Sequence, residues 1–259
     1  MSQFRNIVKK AAVIGLCICT FSVQVSGATP WSSANGIFYD GNGNEIKGAI
    51  AKGIDVSYHN GDIDWAKVKA AGISFALLRC GYGNDERNQD DIKFVQNVKG
   101  CEDNGIQYGV YLYSYAVDND KEKTLEDMAR SEAEHVLRMI EEAGAKPTMS
   151  VYYDIEDKSQ VGMTTKQYGD MAEIFCNIVK NAGYNVGVYS NYYWWTNRLT
   201  DSRFDNWGKW VARYNNTSVY NKEYDIWQYT ESGTVDGVGS GMDVNILLSR
   251  PCSITGHQY

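Results

Sequence analysis

Ser150-Val151-Tyr152-Tyr153-Asp154-Ile155-Glu156-Asp157 reads as a short apolar strand that ends in carboxylates. Side chains alternate between the two faces of a strand, so Tyr152, Asp154 and Glu156 share one face. Neighbouring acids repel each other, and unequal solvation lets one keep a proton near neutral pH while the other stays charged. Cleavage of a glycosidic bond needs that pairing: a proton donor for the leaving oxygen and negative charge beside an oxocarbenium-like centre. A solvated acidic loop edge has the same composition, since strand-end Asp and Glu are common in α/β proteins. The flanking pattern separates the two readings.

Upstream, Gly53–Ser57 reads as a strand, followed by a helix over Trp65–Ala71 that stops at Gly72. Phe75–Cys80 and Tyr108–Tyr115 are further strands, separated by a helix near Ile92–Glu102. A long helix with a Glu-rich polar face spans Lys121–Ala143. Downstream come a helix over Thr165–Ala182, a strand at Asn185–Ser190 and a short aromatic helix near Trp194. Lys209–Tyr214, Asp225–Tyr229 and Met242–Leu247 then read as strands joined only by loops. Such alternation implies parallel strands with crossover helices. Five strand–helix pairs and three more strands total eight, the number that closes a barrel. The last three are too tightly connected for a regular helix ring, so the expected fold is an irregular α/β barrel in a single domain.

Residues 1–28 have the features of a secretory signal: Arg5, Lys9 and Lys10, an apolar run from Ala11 to Val25, then Ser26-Gly27-Ala28. The run is short for a membrane span, and the reading is a soluble secreted product with no membrane attachment after cleavage. Of 25 basic and 32 acidic residues, three basic ones lie in this segment, leaving 22 against 32, a net −10. That balance supplies no basic stripe and argues against a nucleic-acid partner. Residues 29–51 stand outside the alternation; Phe38–Ile46 resembles a hairpin with a Gly/Asn turn, a cover for the barrel bottom or a tether. The barrel is assigned to residues 52–259.

Reactive groups of parallel α/β barrels gather at the carboxyl ends of the strands. That rule selects Asp55, Asp154, Glu156 and Asp243. An acid inside apolar Gly53–Ser57 needs a partner, and Arg79, at the end of the second strand, is the candidate, as an ion-pair clamp. Tyr58, Tyr82, Tyr111, Tyr113, Tyr189, Trp210, Tyr214, Trp227 and Tyr229 also lie in or just after strands. Flat aromatics with polar tips suit sugar rings, although core packing explains any one of them as well. Gly81-Tyr82-Gly83-Asn84 lacks the spacing of a phosphate loop. His59, His135 and His257 have no ligand spacing, so no metal or other cofactor is expected. Cys80 and Cys176 read as buried thiols, and pairing among Cys80, Cys101, Cys176 and Cys252 is left open.

Lys52-Gly53-Ile54-Asp55-Val56-Ser57, Phe75 to Gly83, Tyr108-Gly109-Val110-Tyr111, Asp154-Ile155-Glu156 and Val188-Tyr189-Ser190 fall in order, followed by Trp210-Val211-Ala212-Arg213-Tyr214, Trp227-Gln228-Tyr229 and Met242-Asp243-Val244-Asn245. Over residues 52–248 this set resembles glycoside hydrolase family 25, the Chalaropsis-type lysozymes. The resemblance implies a flattened (β/α)5β3 TIM-like barrel that cleaves the β-1,4 bond between N-acetylmuramic acid and N-acetylglucosamine in peptidoglycan, as a monomer. It implies Glu156 as general acid, Asp154 as the carboxylate that steadies the acetamido group or the developing charge, and Asp55 and Asp243 as flanking acids. Tyr189 matches a site tyrosine. With the strand-end aromatics, the expected substrate-binding set is Asp55, Asp243, Tyr189, Tyr111, Tyr113, Trp210, Tyr214 and Gln228. On this reading Glu156 holds the proton, Asp154 is ionised, and attack comes from the acetamido group or directly from a carboxylate. The competing reading is a barrel that binds glycans without cutting them; binding alone gives no reason to bury paired acids.

Overall fold

The computed structural model of the chain describes residues 32–118, 122–216, 220 and 222–249. The expected signal segment 1–28, Cys252 and His257 lie outside the described residues. The chain enters through a hairpin, β1 (Ser32–Ala34) and β2 (Ile37–Tyr39). Its turn is Asn35-Gly36, with φ of 55° and 79°, the two positive values that a two-residue hairpin of type I′ requires. The turn expected within Phe38–Ile46 also forms, closed by a Tyr39–Glu45 bridge. Phe38 and Ile46 pack onto the apolar core, and Ser249 N donates to Gly48 O.

Then follow β3 (Ala49–Val56), α1 (Trp65–Ala70), β4 (Phe75–Tyr82), α2 (Phe94–Asp103), β5 (Gln107–Tyr113), α3 (Leu125–Ala143) and β6 (Val151–Asp154). The chain continues through α4 (Thr165–Asn181), β7 (Val186–Asn191), α5 (Tyr192–Asn197), β8 (Gly208–Ala212), β9 (Ile226–Val235) and β10 (Gly239–Leu248). Helices start where the sequence supplies caps: Thr124 with Asp127, and Thr164 with Gln167, satisfy each other's free backbone N–H groups.

Eight strands close a barrel in the order β10-β3-β4-β5-β6-β7-β8-β9. From β3 to β9 every pairing is parallel. Strand β10 departs from the all-parallel expectation, since it runs antiparallel to both neighbours. Only residues 236–238 join it to β9, far too few for a parallel crossover. This reversal places the start of β10 among the carboxyl ends of the other strands.

Strand alternation divides the apolar residues into two cores. Phe75, Leu77, Tyr111, Tyr152, Tyr189, Trp210, Ala212 and Ile226 point inward and fill the barrel. Ala76, Leu78, Cys80, Val110, Leu112, Val151, Tyr153 and Val188 point outward into a larger core shared with the helices. Cys80, Cys101 and Cys176 are buried free thiols. No helix of the described residues is long and apolar enough to cross a membrane.

At Gly53 the barrel interior has no room for a side chain, because a Cβ there would lie 2.4 Å from the Phe75 ring. Phe75 is itself fully buried and cannot swing away. Gly53→Ala is expected to destabilise the fold by about 1–3 kcal/mol, read as a lower urea midpoint at unchanged slope. An unchanged midpoint would show the interior to be looser than described.

Candidate active site

Asp154 is the last residue of β6 and Glu156 lies just beyond it. Asp55 sits near the end of β3, and Asp243 of β10 is its register partner across the closing seam. All four line one cavity of about 410 Å³. Tyr111, Tyr113, Tyr189, Trp210, Tyr214 and Gln228 line it too, so the structure brings together all ten residues selected from sequence. Ser57, His59, Arg79 and Glu231 complete the wall. Tyr58, Tyr82, Trp227 and Tyr229 do not line it. Trp227 and Tyr229 belong to the outer core, because on β9 the inward positions are Ile226 and Gln228.

Asp55 is buried, and its partners are not the one expected. Arg79 Nε instead donates to Asp91 Oδ2 at 2.9 Å. Asp55 Oδ2 accepts from Asn245 Nδ2 at 2.7 Å and from Gln228 Nε2 at 2.9 Å. Both amides are fixed from behind. Trp210 Nε1 donates to Asn245 Oδ1 at 2.8 Å, and the Tyr189 and Tyr214 hydroxyls donate to Gln228 Oε1 at 2.9 and 3.1 Å. Each amide oxygen is occupied, so each amide N–H must face Asp55. Trp210, which fixes Asn245, is locked by edge-on contacts with the Tyr111 and Tyr152 rings and a tilted contact with Tyr189. Asn191 donates to Glu156 Oε2 at 3.3 Å.

Burial raises the pKa of all four acids, to unequal degrees. Burial raises Asp55 to about 6, and the donors Asn245, Gln228 and Asp243 hold it from rising further. Asp243 is pushed higher, to about 8, by burial and then by the charge of Asp55, so the shared proton resides on Asp243. Burial also raises Glu156, with the Asn191 hydrogen bond opposing. Asp154 is driven well above the carboxylate range by burial, then by Glu156 and Asp55, with Arg79 pulling the other way. Both carboxyls are thus held toward the protonated form, Asp154 with more neighbouring charge against it. Asp154 is 3% exposed and its Oδ1 has no hydrogen-bond partner among the described residues, whereas Glu156 lies past the strand end.

Sequence reasoning did not select Glu231, Ser57, His59 or Asn191. Alternation along β9 would turn Glu231 outward with Trp227 and Tyr229; it lines the cavity where the pairing of β9 with β10 shifts register past Thr230, which no sequence pattern signals. Among the described residues, no three His, Cys, Asp or Glu side chains are grouped as metal ligands.

A barrel with paired carboxylates in an aromatic-walled cavity at the strand ends has the architecture of a glycosidase. The profile of the family described as Glycosyl hydrolases family 25 matches residues 54–238, and the chain belongs to that family. It is 25% identical over 195 residues to the autolytic lysozyme of Clostridium acetobutylicum, covering 75% of this chain and 55% of that protein. Lysozyme M1 of Streptomyces globisporus is also 25% identical, over 206 residues, covering 75% of this chain and 66% of that protein. Among solved structures, the modular autolysin LytC from Streptococcus pneumoniae, in complex with a synthetic peptidoglycan ligand, superposes with a TM-score of 0.73. It shares 28% identity, and the match covers 84% of this chain and 52% of LytC. The chain thus spans between half and two-thirds of the length of these relatives.

A carboxyl held above its ordinary pKa binds its proton more tightly in the folded state than in the unfolded one. The stability it contributes is complete at acid pH and is lost as pH rises from about 4 through the folded value. Asp243→Asn removes that loss and keeps a donor toward Asp55. At pH 8 the variant is expected to be more stable than wild type by on the order of 1–3 kcal/mol, with the gain vanishing near pH 4. Paired denaturation curves at the two pH values test this; a gain of equal size at both would remove the titration as its cause.

Proposed function

We propose that this chain is a secreted lysozyme, exported by residues 1–28, that hydrolyses the β-1,4 bond between N-acetylmuramic acid and N-acetylglucosamine in peptidoglycan. The observation that carries the reading is that Asp154 and Glu156 open side by side into one cavity. Asp154 Oδ1 is a buried acceptor without a donor. An acetamido N–H of the bound sugar supplies that donor, which favours the ionised form of Asp154 and leaves the proton to Glu156. Glu156 then protonates the departing glycosidic oxygen as the C1–O bond breaks and its electron pair moves to that oxygen. The acetamido carbonyl oxygen, oriented by Asp154, closes on C1. Water reopens the ring and gives its proton to Glu156, which restores the starting state.

The inward aromatics Trp210, Tyr111, Tyr189 and Tyr214 provide apolar faces for the sugar rings. Membership of glycosyl hydrolase family 25 and the likeness to two lysozymes support the substrate class. Glu156→Gln is expected to lower turnover of purified peptidoglycan by about 10²–10⁴-fold. Mass analysis of wild-type products should find new reducing ends on muramic acid. Near wild-type turnover by the variant would remove Glu156 from the acid role, and reducing ends on glucosamine would replace the muramidase reading with a glucosaminidase one.

A further inference from the structure

Arg79 is the one guanidinium in a wall that otherwise presents Asp55, Asp154, Glu156, Glu231 and Asp243. It is held at its elbow and not at its tip. Asp91, itself buried, accepts from Arg79 Nε at 2.9 Å, from Tyr58 N at 3.0 Å and from Lys93 N at 3.0 Å, so its two oxygens are committed. The guanidinium carbon lies over the Tyr58 ring, 5.0 Å from its centroid. Neither terminal nitrogen of Arg79 donates a hydrogen bond among the described residues, and Nη2 is buried without a partner. Leaving such a donor unpaired is costly, and a guanidinium presents its paired N–H groups in a geometry that fits two carbonyl-type oxygens.

Arg79 stands on β4, two strands from Asp154 on β6, and its charge reaches Asp154 across the cavity. The inference rests on the proposed role of Asp154 at the acetamido group, which sits on C2 of the sugar ring. The substituent on the neighbouring carbon, C3, is what separates the two peptidoglycan sugars: a lactyl ether ending in a carboxyl or amide carbonyl in muramic acid, a hydroxyl in glucosamine. We infer that Arg79 reads the lactyl carbonyl oxygens on C3 and so fixes which sugar occupies the site beside Asp154. Both forms of the group share the chemistry that a guanidinium recognises, a negatively polarised carbonyl oxygen. The acids of the cavity repel a free carboxylate anywhere else on the wall, which confines it to this position.

Calorimetric binding to Glu156→Gln protein, with and without Arg79→Gln, tests the assignment. Three soluble ligands are compared: a tetrasaccharide of alternating glucosamine and muramic acid with free lactyl carboxylates, the same with alanine amides on the lactyl groups, and chitotetraose. Arg79→Gln is expected to weaken the lactyl-bearing ligands by about ten-fold or more and to leave chitotetraose within about two-fold. Arg79→Lys should recover part of the preference, since it keeps the charge and loses the fork. A loss confined to the carboxylate ligand identifies the free acid as the group read, and equal loss on both lactyl ligands identifies the carbonyl. Equal weakening of all three ligands, or an undiminished preference for lactyl sugars, overturns the inference. Failure of the underlying reading shows separately, as peptidoglycan cleavage that survives Glu156→Gln.

Discussion

A single buried charge organises this cavity. Asp55 lies inside a closed barrel, where an ionised carboxyl persists only if donors surround it. Those donors come from β9 and β10, through Gln228 and Asn245, so barrel closure supplies the groups that let Asp55 stay charged when buried. The same closure sets Asp243 opposite Asp55, where a second charge would be repelled; the proton it keeps follows from that position. Trp210, Tyr189 and Tyr214 hold the two amides, so the aromatics that fill the barrel also fix its electrostatics. Packing and charge here are one arrangement seen from two sides.

The order of strands and helices was legible because each depends on neighbours a few residues away. Short apolar runs such as Phe75–Cys80 and capped helices such as Leu125–Ala143 carry their own signal. The strand-end rule likewise found the four acids without coordinates, and the strand-end aromatics and the family resemblance supplied the other six selected residues that line the cavity. What it missed is what closure creates. The partners of Asp55 lie 173 and 190 residues along the chain, and no local pattern pairs them with it, whereas Arg79 was an attractive partner only because it was near in sequence. The direction of β10 depends on the shortness of residues 236–238, which stays hidden while one strand is read as ending at Tyr229 and the next as beginning at Met242. Trp227 and Tyr229 were grouped with the site by composition, and their odd register on β9 turns them outward.

The division of labour between the two cores bears on the competing readings. The outer core, with Phe94, Phe175, Trp195 and Phe204 fully or almost fully buried, supplies the burial that holds the fold. The acids at the barrel mouth oppose it, since each is held above its ordinary pKa by desolvation and most by a neighbouring charge as well. A barrel that only holds glycans gains nothing from four such groups, because aromatics and amides satisfy hydroxyls at lower cost. Proton transfer is the task for which unequal, mutually perturbed carboxyls are suited.

Two buried polar atoms of the cavity wall stand without partners among the described residues, and they have opposite character. Asp154 Oδ1 can only accept when ionised, and Arg79 Nη2 can only donate. The polar groups of the Asp55 network bond to one another, so this acceptor and this donor are the wall's complementary unpaired groups. On the proposed reading a muramyl ring offers both complements on adjacent carbons, an amide N–H at C2 and a carbonyl oxygen at C3. A glucosamine ring offers only the first. An N–H donated to Asp154 favours its ionised form, which relieves the burial penalty there and leaves Glu156, also raised by burial, to hold the proton beside the bond to be broken.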